Sequence, residues 1–272
     1  MARQRLGQHF LGDAGVRDRI ARAIRIPPHE APITENGVPY CWIEVGAGHG
    51  EMTQHLVQTG VPVHAIELDP PLIARLEGMR AEHRNLTVTG GDVLKADLRR
   101  VAEGLRMRIY GNLPYYITSP ILHHFFEFAE LIDEIHIVIQ QEVAFRIVAR
   151  PGTRDYGYLS VLCQYFSQPR IGLKIPRGAF RPPPKVGSAL VSMTLPGERA
   201  TLRLADDEKF LDFVKLAFSQ KRKTLVNNLR SIAEPAQVKA LLAKNGFRED
   251  ARAEQLAVAS LAQIFLQVRQ PS

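Results

Sequence analysis

Short apolar runs recur along the first half of the chain, each followed by a stretch of mixed polarity. They are Cys41–Val45, Val63–Leu68, Asn85–Gly90, Met107–Gly111 and Glu134–Gln140. Runs of this length separated by stretches of about ten to twenty residues predict βαβ units, hence a parallel sheet with helices on both faces. Ligands of such sheets bind beyond the carboxyl ends of the strands. Upstream, Asp13 is placed to cap a helix running to about Arg25, with Val16, Ile20, Ala23 and Ile24 on one face and Pro27-Pro28 ending it. Downstream, Arg170–Ile175 and Ser188–Leu195 read as strands flanking the proline-rich loop FRPPPKVG, and Pro196-Gly197 marks a boundary. Beyond it only amphipathic segments appear, near 206–219, 222–232, 236–245 and 255–268. The expected organisation is an α/β domain over 1–197, with a basic arm at 1–12, followed by a small all-helical domain over 198–272.

Composition narrows the picture. Hydrophobic content of 45% and charged content of 23% supply the core of an ordinary globular protein. The two cysteines, Cys41 and Cys163, are far apart in apolar stretches, which fits a reducing compartment and no disulfide framework. No His-Glu-x-x-His or Cys-x-x-Cys spacing occurs, so no metal is expected. No apolar run approaches the roughly 20 residues that span a bilayer, and the start is charged and glycine-broken; a cytoplasmic chain without membrane contact is expected. The net charge of +7 changes the range of partners, because clustered Lys and Arg gain affinity for phosphates through counterion release.

The sharp motifs fall at the predicted strand ends. The loop EVGAGHG carries Gly46, Gly48 and Gly50 and opens a helix, which suits close approach of backbone to a ligand. Glu67 ends the next strand, as a ribose-binding acid would, but the G-x-G-x-G spacing and the following Glu51 disfavour a pyrophosphate. Asp92, after the third strand, adds a second acid. Together they suit a ribose diol and an adenine amino group without phosphate, and Glu44 is expected near a cationic part of that ligand. The arrangement resembles the class I S-adenosylmethionine-dependent methyltransferases.

At the end of the fourth strand stands Asn112-Leu113-Pro114-Tyr115. It is similar to the signature of methyltransferases acting on a planar exocyclic nitrogen. An adenine N6 is a poor nucleophile because its lone pair is delocalised into the ring. An Asn side-chain oxygen and a backbone carbonyl held by the following proline can accept both N6 protons and localise that lone pair toward the methyl donor. Tyr115 can stack on the base, which must be unpaired or flipped.

These motifs, with RLGQHFLGD, AIELDPPLIARL, QQEVAFRIVARPGTRDYGYLSVLCQYF, FRPPPKVGSALV and FSQKRKTLVNNL, together resemble the KsgA/RsmA family of ribosomal RNA adenine dimethyltransferases over nearly the whole chain. The resemblance implies a Rossmann-like class I methyltransferase fold with a mainly parallel seven-stranded sheet and a C-terminal helical domain. It implies a monomer that uses S-adenosylmethionine, without a metal, to dimethylate N6 of two adjacent adenosines near the 3′ end of 16S rRNA in the pre-30S particle. By resemblance, cofactor contacts fall on His9, Leu11, Gly46, Glu67, Asp92 and Asn112. One departure stands in the arm, where His9 occupies a position commonly held by Asn. The catalytic set implied is Asn112, the Leu113 carbonyl fixed by Pro114, Tyr115, and Phe180 as a second aromatic face. Arg3, Arg5, Lys221, Arg222 and Lys223 would contact rRNA phosphates.

Three other readings compete. A 23S rRNA dimethylase of the Erm type shares the NLPY-like and proline-loop motifs, but YGYLSVLCQY and KRKTLVNNL fit the small-subunit group better. An assembly or transcription factor acting mainly by binding would not need an intact Asn112. A nicotinamide oxidoreductase is disfavoured by the loop spacing.

Overall fold

The structure is a computed structural model that describes residues 9–25, 37–114 and 117–268. Nine strands are present among them: β1 (Phe10–Leu11), β2 (Tyr40–Val45), β3 (Val63–Glu67), β4 (Leu86–Gly90), β5 (Arg106–Asn112), β6 (Ile132–Gln140), β7 (Gln168–Ile175), β8 (Phe180–Arg181) and β9 (Ser188–Thr194). Seven form one sheet in the order β4-β3-β2-β5-β6-β9-β7. The pairs joining β4, β3, β2, β5 and β6 are parallel, and β9 runs antiparallel to β6. β2 and β3 are buried at every position, which is why they appear in the sequence as unbroken apolar runs. β7 at the edge alternates exposed and half-buried residues and tolerates Pro169 and Gly172. This is the mainly parallel, Rossmann-like sheet expected from the sequence.

The chain order reverses at β2, with β3 and β4 laid down on one side and β5 and β6 on the other. That switch opens a crevice beyond the carboxyl ends of β2 and β5. Gly111 admits close packing at the end of β5: a Cβ there would lie 2.8 Å from Leu113 Cδ2 and 3.1 Å from the Val45 carbonyl oxygen. The helix Ala14–Ala23 begins where expected, with Asp13 Oδ1 accepting from the Val16 N–H at 3.0 Å. Val16 and Ile20 are its buried positions, and Ile24 at its carboxyl cap is buried too.

The described residues fall into two compact units. One comprises Met1–Ala144 with Arg170–Leu195, the other Phe145–Pro169 with Pro196–Ser272. The second unit thus takes in the segment 145–169, which the division at residue 197 leaves in the first. The cause is packing: the apolar helix Tyr158–Phe166 contacts the helices Asp207–Ala217 and Val258–Val268. Tyr165, Phe210, Phe213 and Phe265 form their shared aromatic core. The segment 222–232 is helical only over Leu225–Asn228. Thr224 caps that turn, and Asn228 Nδ2 leaves it to donate to the Ala217 carbonyl at 2.6 Å, closing the end of the preceding helix.

Candidate active site

A cleft lies at the carboxyl ends of β2, β3 and β5, where ligands of such sheets bind. Gly46, Glu67, Asp92, Asn112, Leu113 and Pro114 all line it, as does His9 from the arm. Six positions picked out at four strand ends therefore share one cavity with the arm.

Glu67 organises the cofactor end. It is 4% exposed, and its Oε2 accepts the Gly48 N–H at 2.9 Å while Oε1 accepts those of Leu68 and Asp69 at 2.8 and 3.0 Å. A carboxylate offers about four acceptor positions. Three are engaged by backbone, which fixes the group and leaves capacity for a hydroxyl. Gly48 adopts φ +60°, and a Cβ there would stand 3.2 Å from the Phe10 ring. Its lack of a side chain admits Phe10, whose ring lies 4.4 Å from that of His49. Asp92 Oδ1 caps the turn Val93–Lys95 by accepting from the Leu94 N–H at 3.0 Å. Between these acids, Ile66 and Val93 give the cleft an apolar wall. Acids flanking an apolar slot, with glycine backbone alongside, fit an adenosine bearing a free ribose diol.

Asn112 organises the chemical end. Its Nδ2 donates to the His9 carbonyl at 2.8 Å. A carbonyl only accepts, so the amide orientation is fixed and Oδ1 remains as the acceptor. The Pro114 carbonyl accepts from the Ile117 N–H and the Thr118 hydroxyl at the start of the next helix. Among the described residues, none donates a hydrogen bond to the Leu113 carbonyl beside Asn112.

Two expectations are corrected, for Phe180 and Glu44, and Leu11 has its side chain in the core. Phe180 is fully buried in the core beneath the arm and does not line the cleft, so it offers no face to a base here; the strand pair β1–β8 holds it under Leu11. Leu11 is 5% exposed and belongs to the same core, outside the cleft lining. Its carbonyl accepts from Arg17 Nη1 at 2.8 Å, so it anchors the arm to the first helix. Glu44 is no counterion: it is 2% exposed, accepts the Thr53 hydroxyl at 2.6 Å, and burial pushes its carboxyl up to about 8 against that hydrogen bond, with Glu51 and Glu67 adding to the rise.

Tyr115, Arg3 and Arg5 lie outside the described residues. Lys221, Arg222 and Lys223 are exposed in the second unit, in the turn after the helix Asp207–Ala217. There Lys221 Nζ donates to the Arg154 carbonyl, which joins this turn to the loop carrying Arg150 and Arg154. Phe10 and its contact with His49 were not singled out in the sequence. Their signal lay in the juxtaposition of HFL and GHG, which only the folded chain creates. No group of three or more metal-ligating side chains is clustered among the described residues. No described helix is long and apolar enough to cross a membrane.

Comparison with known proteins agrees with this geometry. The sequence model of the family described as Ribosomal RNA adenine dimethylase matches residues 1–270. Ribosomal RNA small subunit methyltransferase A of Xanthomonas campestris pv. campestris (strain B100) is 40% identical over 263 residues, covering 97% of this chain and 95% of that protein. The protein of the same name from Xanthomonas oryzae pv. oryzae (strain PXO99A) is 39% identical over 265 residues, with the same coverage. Among solved structures, a dimethyladenosine transferase from Plasmodium falciparum superposes with a TM-score of 0.74 at 22% identity, covering 95% of this chain and 96% of that one. The 23S rRNA methyltransferase ErmE gives 0.66 at 25% identity, covering 96% of this chain and 100% of that one. The chain belongs to the ribosomal RNA adenine dimethylase family.

Proposed function

We propose that this protein transfers methyl groups from S-adenosylmethionine to N6 of two adjacent adenosines in the 3′ terminal hairpin of 16S rRNA, acting as a cytoplasmic monomer, without a metal, on the pre-30S particle. The observation that carries the reading is the placement of Asn112. Its donor is given to the arm and its acceptor is kept, in the same cleft as the anchored carboxylate of Glu67. When bound, S-adenosylmethionine supplies an electrophilic methyl on a sulfonium.

Everything else is done by the chain. Glu67 and Asp92 hold the ribose diol and the adenine amino group of the cofactor, and Gly46 lets backbone lie against it. Asn112 Oδ1 and the Leu113 carbonyl accept the two N6 protons of the target, which draws the nitrogen lone pair out of the ring. Pro114 removes one backbone N–H and stiffens that carbonyl. Tyr115 stacks on the extruded base. No base is needed before attack, because the proton leaves once nitrogen carries the new bond. Lys221, Arg222 and Lys223, with Arg3 and Arg5, supply phosphate contacts.

A 23S substrate is the weaker reading. ErmE is 25% identical, against 40% for a relative named for the small subunit. The test offers labelled S-adenosylmethionine with unmethylated small and large subunits in one tube. Label in the 3′ terminal hairpin of 16S rRNA supports the proposal, and label confined to 23S rRNA overturns it.

A further inference from the structure

His9 touches both halves of the site. Its carbonyl accepts the Asn112 amide hydrogen at 2.8 Å, and its ring Nδ1 lies 2.8 Å from the Pro182 carbonyl. Proline has no N–H and a carbonyl only accepts, so Nδ1 must carry the hydrogen, which sets the tautomer. The bond prolongs the two-residue antiparallel ladder that pairs Phe10 with Arg181 and Leu11 with Phe180. Further along, the Asp13 N–H donates to the Ala179 carbonyl at 3.1 Å. Gly12 lies so close to the same strand that a Cβ would sit 3.0 Å from Arg181 Cγ. The arm is thus fastened to the segment 179–182 from residue 13 back to residue 9. Among the described residues, the imidazole makes the fastening nearest the start of the chain, at the residue whose carbonyl holds Asn112.

We propose that His9 is a positioning residue for methyl transfer: its imidazole ties the arm to the Pro182 carbonyl, so that its own main-chain carbonyl keeps the Asn112 amide turned with Oδ1 toward the target amine. The side chain acts through this tether and not as a base. An amide held by one N–H has a single orientation that offers its oxygen; a wandering carbonyl would let it rotate and present N–H to an amine that needs an acceptor. The inference rests on the methyltransferase reading of the cleft for its consequence, but the tether itself can be observed without turnover.

The test uses the full chain labelled with 15N in histidine, and the variants His9→Phe, which keeps a ring without a donor, and His9→Gln, which restores one. The nitrogen shifts of His9 should report hydrogen on Nδ1, the less common neutral form in water. Single-turnover transfer at saturating cofactor and particle should fall about tenfold in His9→Phe. Monomethylated adenosine should build up. His9→Gln should recover most of the rate. Hydrogen on Nε2 with Nδ1 bare, a rate that holds in His9→Phe, or a His9→Gln chain as slow as His9→Phe would each overturn the proposal. A wild-type chain that transfers no methyl would remove the function reading, and the nitrogen shifts would still decide the tether.

Discussion

Asn112 and His9 are 103 residues apart in sequence, and the Asn112 side chain donates to the His9 carbonyl at 2.8 Å. This bond links the end of β5 to the arm that forms one wall of the cleft. The orientation of the one side-chain amide at the chemical end is therefore set by a segment outside the main sheet.

Glu67 is the acceptor for three backbone N–H groups at the cofactor end. Glu67→Ala should weaken S-adenosylmethionine binding by about 10- to 100-fold, the effect expected of removing a charged hydrogen bond. It should also lower Tm, because the N–H groups of Gly48, Leu68 and Asp69 lose their partner. Calorimetric titration and thermal melts of the same sample read both, and unchanged affinity would remove Glu67 from the cofactor contacts.

Phe180 separates a core role from a stacking role. With its side chain fully buried, Phe180→Ala should cost about 3–5 kcal/mol of stability, measured by denaturant unfolding. Phe180→Leu keeps most of the buried volume and should retain transfer. A Phe180→Leu chain that folds normally but has lost transfer would restore the stacking role.

Glu44 gives a pH dependence of defined sign. Its carboxyl is raised from 4.5 to about 8 by burial, so the folded chain keeps a proton that the unfolded chain releases. The favourable contribution is complete below about pH 4.5 and is lost progressively as pH rises to about 8, by a few kcal/mol in total. Glu44→Gln can still accept from Thr53 and does not titrate. The Tm of the variant should rise relative to wild type from pH 5 to pH 8, and a constant difference across that window would contradict the buried acid.

The basic turn predicts a salt effect. Replacing Lys221, Arg222 and Lys223 by Gln should weaken particle binding. The slope of log K against log salt should fall by about 0.7–0.9 for each phosphate that the variant no longer neutralises. An unchanged slope would take the turn out of the RNA footprint.

The sheet was legible because β2 and β3 are buried on both faces and so appear as unbroken apolar runs. Glu67, Asp92 and Asn112 were legible because each ends such a run. What the sequence concealed depends on contacts between distant segments. β1 and β8 are two residues each and carry no periodicity, so their pairing, and with it the burial of Phe180 and Leu11, could not be read. The helix Tyr158–Phe166 was assigned by chain continuity to the first domain, although its apolar face packs with the C-terminal helices. Glu44 stood one strand position from the glycine loop and was expected near the ligand; because β2 is buried on both faces, it meets Thr53 in the interior instead.

The central claim is that Asn112 directs methyl transfer to adenine N6 in small-subunit rRNA. Wild type and Asn112→Ala should be incubated with S-adenosylmethionine and unmethylated small subunits, and the digested rRNA analysed by mass spectrometry. Wild type should yield N6,N6-dimethyladenosine in the 3′ terminal hairpin. Asn112→Ala should yield none while still binding S-adenosylmethionine within a fewfold of wild type. Full dimethylation by Asn112→Ala, or no N6-methylated adenosine from wild type, would contradict it.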